Sequence, residues 1–282
     1  MRNLCNGGHV TEAQSLFDLM VHVGVRPNVI SYTTLLDGYC LAGRMKEAMK
    51  AGRIDDAVRL FREMLSSEVR PGIVTYNMVL HGLFQSGMFS EAKEFYLNMV
   101  KSGMQLNLRT YNIILNGLGK NRCVDEALKI FQSLCSKGFQ LHVITFNIMI
   151  DALLKSGRKE DAMDMFTAVS AHGLVPDVVT YDLMIQNLIK EGSLQESDNL
   201  FLAMEKSGCT LDSCMLNALV RRLLHRGEII RVGAYLSKID EMNFSLEAST
   251  TSLLISVFSS EEYHHQMMSL PKKYHFVMGV NK

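Results

Sequence analysis

The chain has 282 residues, 48% of them hydrophobic, which is enough apolar material for a large core and too much for a disordered chain. Its 29 basic and 29 acidic residues cancel, which excludes a broadly basic nucleic-acid binder and leaves any polyanion partner to be held by local charge. No apolar run reaches the roughly 18 residues that a membrane span needs. The six cysteines (Cys5, Cys40, Cys123, Cys135, Cys209, Cys214) contain no Cys-x-x-Cys pair and are expected to be reduced.

Thr75-Tyr76-Asn77, Thr110-Tyr111-Asn112, Thr145-Phe146-Asn147 and Thr180-Tyr181-Asp182 recur every 35 residues, which marks a stacked repeat protein. In chain order, residues 1–28 fit the back part of one repeat through Gly8, Ala13, Met20, Gly24 and Pro27. Met1-Arg2-Asn3-Leu4-Cys5 has neither the pattern of a signal peptide nor that of an organellar presequence. Without a first helix, Leu4, Leu16 and Phe17 are expected to be under-covered. Residues 29–72 form a longer repeat of 44 residues, in which Ala42-Gly43-Arg44 and its helix start are echoed by Ala51-Gly52-Arg53. It is a repeat of 35 with nine added, or two repeats that lost 26 between them. We expect a hairpin with a lengthened, partly helical connector at residues 43–53.

Residues 73–107 set the pattern for the central repeats. Tyr76, Val79, Leu80 and Leu83 fall at helical spacing, Gly87 interrupts them, and Ala92, Phe95, Tyr96 and Met99 form a second stripe. The repeats at 108–142, 143–177 and 178–212 copy the design. Gly87, Gly157 and Gly192 occupy the turn between helices, Ala92, Ala127 and Ala162 one point of close approach, and Gly103, Gly138, Gly173 and Gly208 the helix exit. Residues 213–247 are degenerate, with Met215-Leu216-Asn217 in place of the signature. Residues 248–282 begin with one more apolar helix and turn polar, as a terminal cap does. The expected fold is all-α, a right-handed α-solenoid of stacked helix–turn–helix hairpins. The aromatic residues of the signature and Met20, Met64, Met99 and Met204 are expected to pack between helices, and a Met-rich groove is the lesser alternative.

The hairpins, with the Thr-Tyr-Asn signature, Ala-Gly-Arg turns and Pro176-Asp177, resemble the pentatricopeptide repeat family, most closely at residues 32–44 and 175–181. Tetratricopeptide repeats run to 34 residues and carry a Trp, which this chain lacks. The uniform length resembles the P class, and in particular fertility-restorer-like plant proteins. The resemblance implies a non-catalytic, single-stranded RNA-binding protein. It further implies action on organellar transcript processing or stability, with RNA-processing proteins as partners and the mitochondrion as location; the plastid and the cytoplasm are the alternatives.

In the family, the fifth residue of a repeat and its last residue choose one base, and the second residue flanks it. The resemblance then makes Asn77 with Asn107 pyrimidine-preferring and Asn147 with Asp177 uracil-preferring. Asn112 with His142, Asp182 with Asp212, Thr33 with Gly72 and Asn217 with Glu247 are poor readers. Ile30, Val74, Ile144 and Val179 are the apolar flanks, and Arg109 stands where a fifth is expected. Lys120, Lys155 and Lys190 recur at 35-residue spacing and suit a phosphate row. Three such contacts imply a salt slope of about −2; the plainer reading is a solubilising helix end.

No nucleophile elbow, phosphate loop, paired catalytic carboxylates or deaminase signature is present, so no enzymatic activity is expected. His264-His265 and the other histidines lack zinc spacing, so neither metal nor cofactor is expected. A protein-interaction scaffold, or a truncated restorer-like copy with little RNA specificity, is the alternative function.

Overall fold

The computed structural model describes residues 1–42, 50–259, 263, 266 and 269–278. The fold among them is helical throughout and divides into two compact units, Met1–Gly157 and Arg158–Lys282. The first holds α1 (Arg2–Asn6), α2 (Val10–His22), α3 (Val29–Ala42), α4 (Lys50–Ser66), α5 (Ile73–Gln85), α6 (Phe89–Lys101), α7 (Leu108–Lys120), α8 (Val124–Ser136) and α9 (Val143–Lys155). The second holds α10 (Lys159–Ala171), α11 (Val178–Glu191), α12 (Leu194–Lys206), α13 (Ser213–His225), α14 (Ile229–Glu241), α15 (Ala248–Phe258) and a closing 3₁₀ helix, Lys272–Met278.

Helices pair as α3 with α4, α5 with α6, α7 with α8, α11 with α12 and α13 with α14. The first helices also pack in rows, α3 on α5, α5 on α7 and α7 on α9 in one unit, α11 on α13 and α13 on α15 in the other. One position per repeat makes this possible. Leu36, Leu80, Leu115, Ile150, Ile185 and Val220 share a register and all are fully buried, each contributing about 1.5–3 kcal/mol of apolar burial. Aromatic pairs tie four second helices to the next first helix edge-to-face: Phe17–Tyr32, Phe61–Tyr76 and Phe131–Phe146 in the first unit, Phe166–Tyr181 in the second. The signature aromatics are therefore packing residues, and Met64, Met99 and Met204 are buried with them. Phe17 is not under-covered: its edge-to-face contact with Tyr32 leaves it 1% exposed, whereas Leu16 remains 44% exposed.

The second helices carry one small, fully buried position per repeat. Ala13, Ala57, Ala92, Ala127 and Ala162 have no exposed surface. A second small position lies on the first helices: a Cβ on Gly82 would meet Cys40 Sγ at 2.7 Å, and one on Gly117 would meet the Phe84 ring at 2.3 Å. At the far end of the second unit, Leu270 and Tyr274 bury against its core, and the Tyr274 hydroxyl donates to Asp240 at 2.7 Å. Of the lengthened connector, residues 50–53 are helical and belong to α4, while 43–49 lie outside the described residues. So do His264 and His265.

Each hairpin turn needs one residue with positive φ, and glycine fills it at Gly87 (φ +77) and Gly157 (φ +76). In the α7–α8 turn Arg122 does so, at φ 59. A Cβ in that conformation costs roughly 1–2 kcal/mol. Arg122→Gly is therefore expected to stabilise the protein by about 0.5–1 kcal/mol after the entropy of the added glycine is charged against it, measured as a higher denaturation midpoint.

Candidate nucleic-acid interface

The last residue of a repeat begins the next first helix, where four backbone N–H groups lack helical partners. Asn107 meets this need for α7: its Oδ1 accepts from Thr110 N at 3.0 Å and from the Thr110 hydroxyl at 2.9 Å. Asp177 does the same for α11 through Thr180 N (2.9 Å) and the Thr180 hydroxyl (2.8 Å), and its own N–H donates back to Thr180 Oγ1. Asp212 caps α13 by accepting from Met215 N at 2.6 Å. Gly72, His142 and Glu247 stand at the same register without a side-chain cap bond. The capping role was absent from the sequence reading, although Asn or Asp three residues before Thr signals it.

Capping fixes the polarity of what is left. With Oδ1 of Asn107 turned to the helix, its Nδ2 donor is the end available to a ligand. Asn77 sits one turn into α5, 4% exposed, and its Oδ1 has no hydrogen-bond partner. Asn77, Asn107 and Arg109 line a groove of about 280 Å³ together with Val74, Asp37 and His81. Nearly every buried polar atom in a folded protein is paired, and the Asn77 Oδ1 beside this groove is an exception. Asn112 repeats the feature, with its Oδ1 also buried and unpaired.

Ile30, Val74, Ile144 and Val179 are large apolar side chains left exposed at one register. Their exposure is what an apolar flank of a stacked base requires. Arg109, at the same register, is exposed and lines the Asn77 groove.

Several of the remaining candidates are occupied. Thr33 Oγ1 donates to its own helix at Val29 O, 2.7 Å. Asp182 pairs with Arg222 at 2.9 Å and accepts from Gln186 Nε2. Asn217 is fully buried and bonded to Ser213, Ser245 and Glu247. Asn147 is 7% exposed. Of the lysines, Lys120 and Lys190 are exposed with no partner among the described residues, whereas Lys155 is held by Asp151 at 2.6 Å. Among the described residues, no helix is long and apolar enough to cross a membrane and no His/Cys/Asp/Glu group could hold a metal ion.

Helical hairpins stacked at a 35-residue period, each offering the same few positions on its first helix, define a repeat protein of the helix-pair class. The chain belongs to the pentatricopeptide repeat family: models of the PPR repeat and the PPR repeat family match residues 1–25, 23–51, 49–69, 71–120, 109–155, 141–190 and 179–209. It is similar to maize PPR10, with a TM-score of 0.68 and 23% identity over 96% of this chain and 38% of that one. The same protein in complex with an 18-nt psaJ RNA element superposes with a TM-score of 0.62 at 23% identity, over 85% of this chain and 38% of that chain. The PPR domain of Arabidopsis thaliana PRORP1 in complex with tRNA superposes at 0.51 and 19% identity, over 64% and 95% of the two chains. In sequence, 48 residues are 56% identical to Protein Rf1, mitochondrial, of Oryza sativa subsp. indica, covering 17% of this chain and 6% of that protein.

One defect in the interface is correctable. His142 cannot supply the cap that Asn107 and Asp177 supply, and Thr145 Oγ1 is left buried without a partner. His142→Asn is expected to restore both bonds and add about 1 kcal/mol, read as a rise of roughly 2–4 °C in thermal midpoint.

Proposed function

We propose that the chain binds single-stranded RNA without catalysis and reads bases in its first compact unit. The observation that carries this is the orphaned amide of Asn77, buried in a groove with the donor end of Asn107 and the Arg109 guanidinium beside it. An amide edge offering a donor suits cytosine, whose N3 accepts, better than uracil, whose N3–H donates. Val74 supports one face of a base at the Asn77 groove and Arg109 offers the other a cationic shelf. Lys120 and Lys190 supply backbone contacts, and Lys155 joins them on leaving Asp151.

Work on organellar transcripts in the mitochondrion, in the manner of a fertility restorer, is the finer reading. It is supported by the 48-residue stretch that is 56% identical to the rice mitochondrial protein. A scaffold for protein partners is the second reading. It is favoured by a cavity of about 580 Å³ between α4 and α6, walled by Phe61, Tyr76 and Phe95 and rimmed by Asp55, Glu91 and Glu94.

Purified protein is to be tested against a pool of short single-stranded RNAs at two salt concentrations. Two phosphate contacts give a slope near −1.4 and three give about −2, and Ala at Lys120, Lys155 and Lys190 together flattens it. No binding by the folded chain would sink the RNA reading and leave the scaffold. Within the pool, Asn107→Asp is expected to keep the cap and move the preference at that base from cytosine to uracil by about tenfold.

A further inference from the structure

The fifth residue of a repeat is chemically open at two repeats of the first compact unit and closed at Asp182 in the second. Asn77 and Asn112 carry buried side-chain oxygens with no partner, whereas Asp182 has both carboxylate oxygens engaged, Oδ1 by Arg222 and Oδ2 by Gln186. The difference traces to the tenth residue of a repeat, which faces the preceding first helix. In the first unit that residue is Gly38, Gly82, Gly117 or Ala152, and at the glycines an added Cβ would fall 2.6 Å from Cys5 Sγ, 2.7 Å from Cys40 Sγ or 2.3 Å from Phe84. On α13 the same register holds Arg222, which reaches back across the helix pair to Asp182 on α11. Both side chains are about three-quarters buried, at 28% and 24% exposure, so the pair is shielded from the water and salt that weaken surface ion pairs. Beside it Arg221 ties down the next repeat's end, donating to Glu247 at 2.6 Å and to Thr250 Oγ1 at 2.7 Å.

We propose that Arg222 is a specificity-determining residue that silences the Asp182 reading position by occupying its carboxylate from the following repeat. This rests on the RNA reading above and deepens it: base discrimination is confined to repeats whose successor has a small tenth residue. A base can enter at Asp182 only by displacing a hydrogen-bonded guanidinium and leaving it uncompensated. Released, Asp182 is acceptor-only and favours a base edge that donates N–H, guanine or uracil, over cytosine, whose N3 accepts.

The test is selection of bound sequences from a random single-stranded RNA pool with four forms of the full chain: unaltered, Asp182→Asn, Arg222→Gly, and both together. The unaltered chain and Asp182→Asn are expected to select the same motif. Arg222→Gly is expected to add one position, favouring guanine or uracil over cytosine by about tenfold, and the double variant to lose that acceptor-driven preference. Arg222→Gln, which keeps the bulk and removes the charge, repeats the measurement should the glycine variant melt below the assay temperature. A motif altered by Asp182→Asn alone, or unchanged in length in both Arg222 variants, overturns the inference while leaving RNA binding intact. Failure of the unaltered chain to bind any RNA overturns the RNA reading, and this inference falls with it.

Discussion

Everything in the interface depends on how each first helix begins. The free N–H groups at a helix start must be satisfied, and at α7, α11 and α13 the last side chain of the preceding repeat does it. In the proposed function that same side chain belongs to the reading set. At Asn107 the helix takes the carbonyl end of the amide and leaves the amino group; at Asp177 it takes one carboxylate oxygen. Capping thus sets the hydrogen-bonding polarity of the end left over, and His142 supplies no side-chain cap. In the proposed reading the cap takes one end of the Asn107 amide and the base the other, so the two requirements meet in one residue through different atoms.

The second constraint is steric. First helices approach closely where the tenth residue has little or no side chain, and before Gly117 and Ala152 the side-chain oxygens of Asn77 and Asn112 have no partner. Where the tenth residue is Arg222, the approach is filled by a side chain that satisfies Asp182 instead. Asn217 reaches the same closed state differently, through the backbone of the 245–247 loop. Repeats of one length and one helical pattern therefore differ in whether their polar groups are satisfied from within.

The frame itself was legible because it repeats: an alanine at full burial or a glycine at positive φ is inferred from its copies. What depends on a partner outside the frame was not. Arg122 takes up the left-handed turn although nothing in its identity announces it; only the missing glycine at that register points there. Asn217 has the right residue type for a reader and is fully buried. Phe17 looked uncovered because its contact, Tyr32, belongs to the next repeat. Lys155 matched its row, yet Asp151 lies one helical turn before it, an i,i+4 pairing that the sequence does carry.

The charge balance also acquires a physical explanation. Ion pairs recur 33 residues apart, one repeat less two, joining Lys93 to Glu126 in the first unit and Arg231 to Asp198 and Lys273 to Asp240 in the second. Lys238 with Glu205 keeps the same interval. These pairs consume opposite charges in equal number on the second helices and the closing segment, so they cannot contribute to net charge however many there are. A chain assembled this way is neutral overall and still leaves Lys120 and Lys190 unpaired on the ends of first helices. Net charge, a sound guide for a protein that meets nucleic acid over its whole surface, says little about one whose cations are sorted by helix. The quantity that matters is the charge left after the repeats have neutralised one another, and at the first-helix ends that remainder is positive.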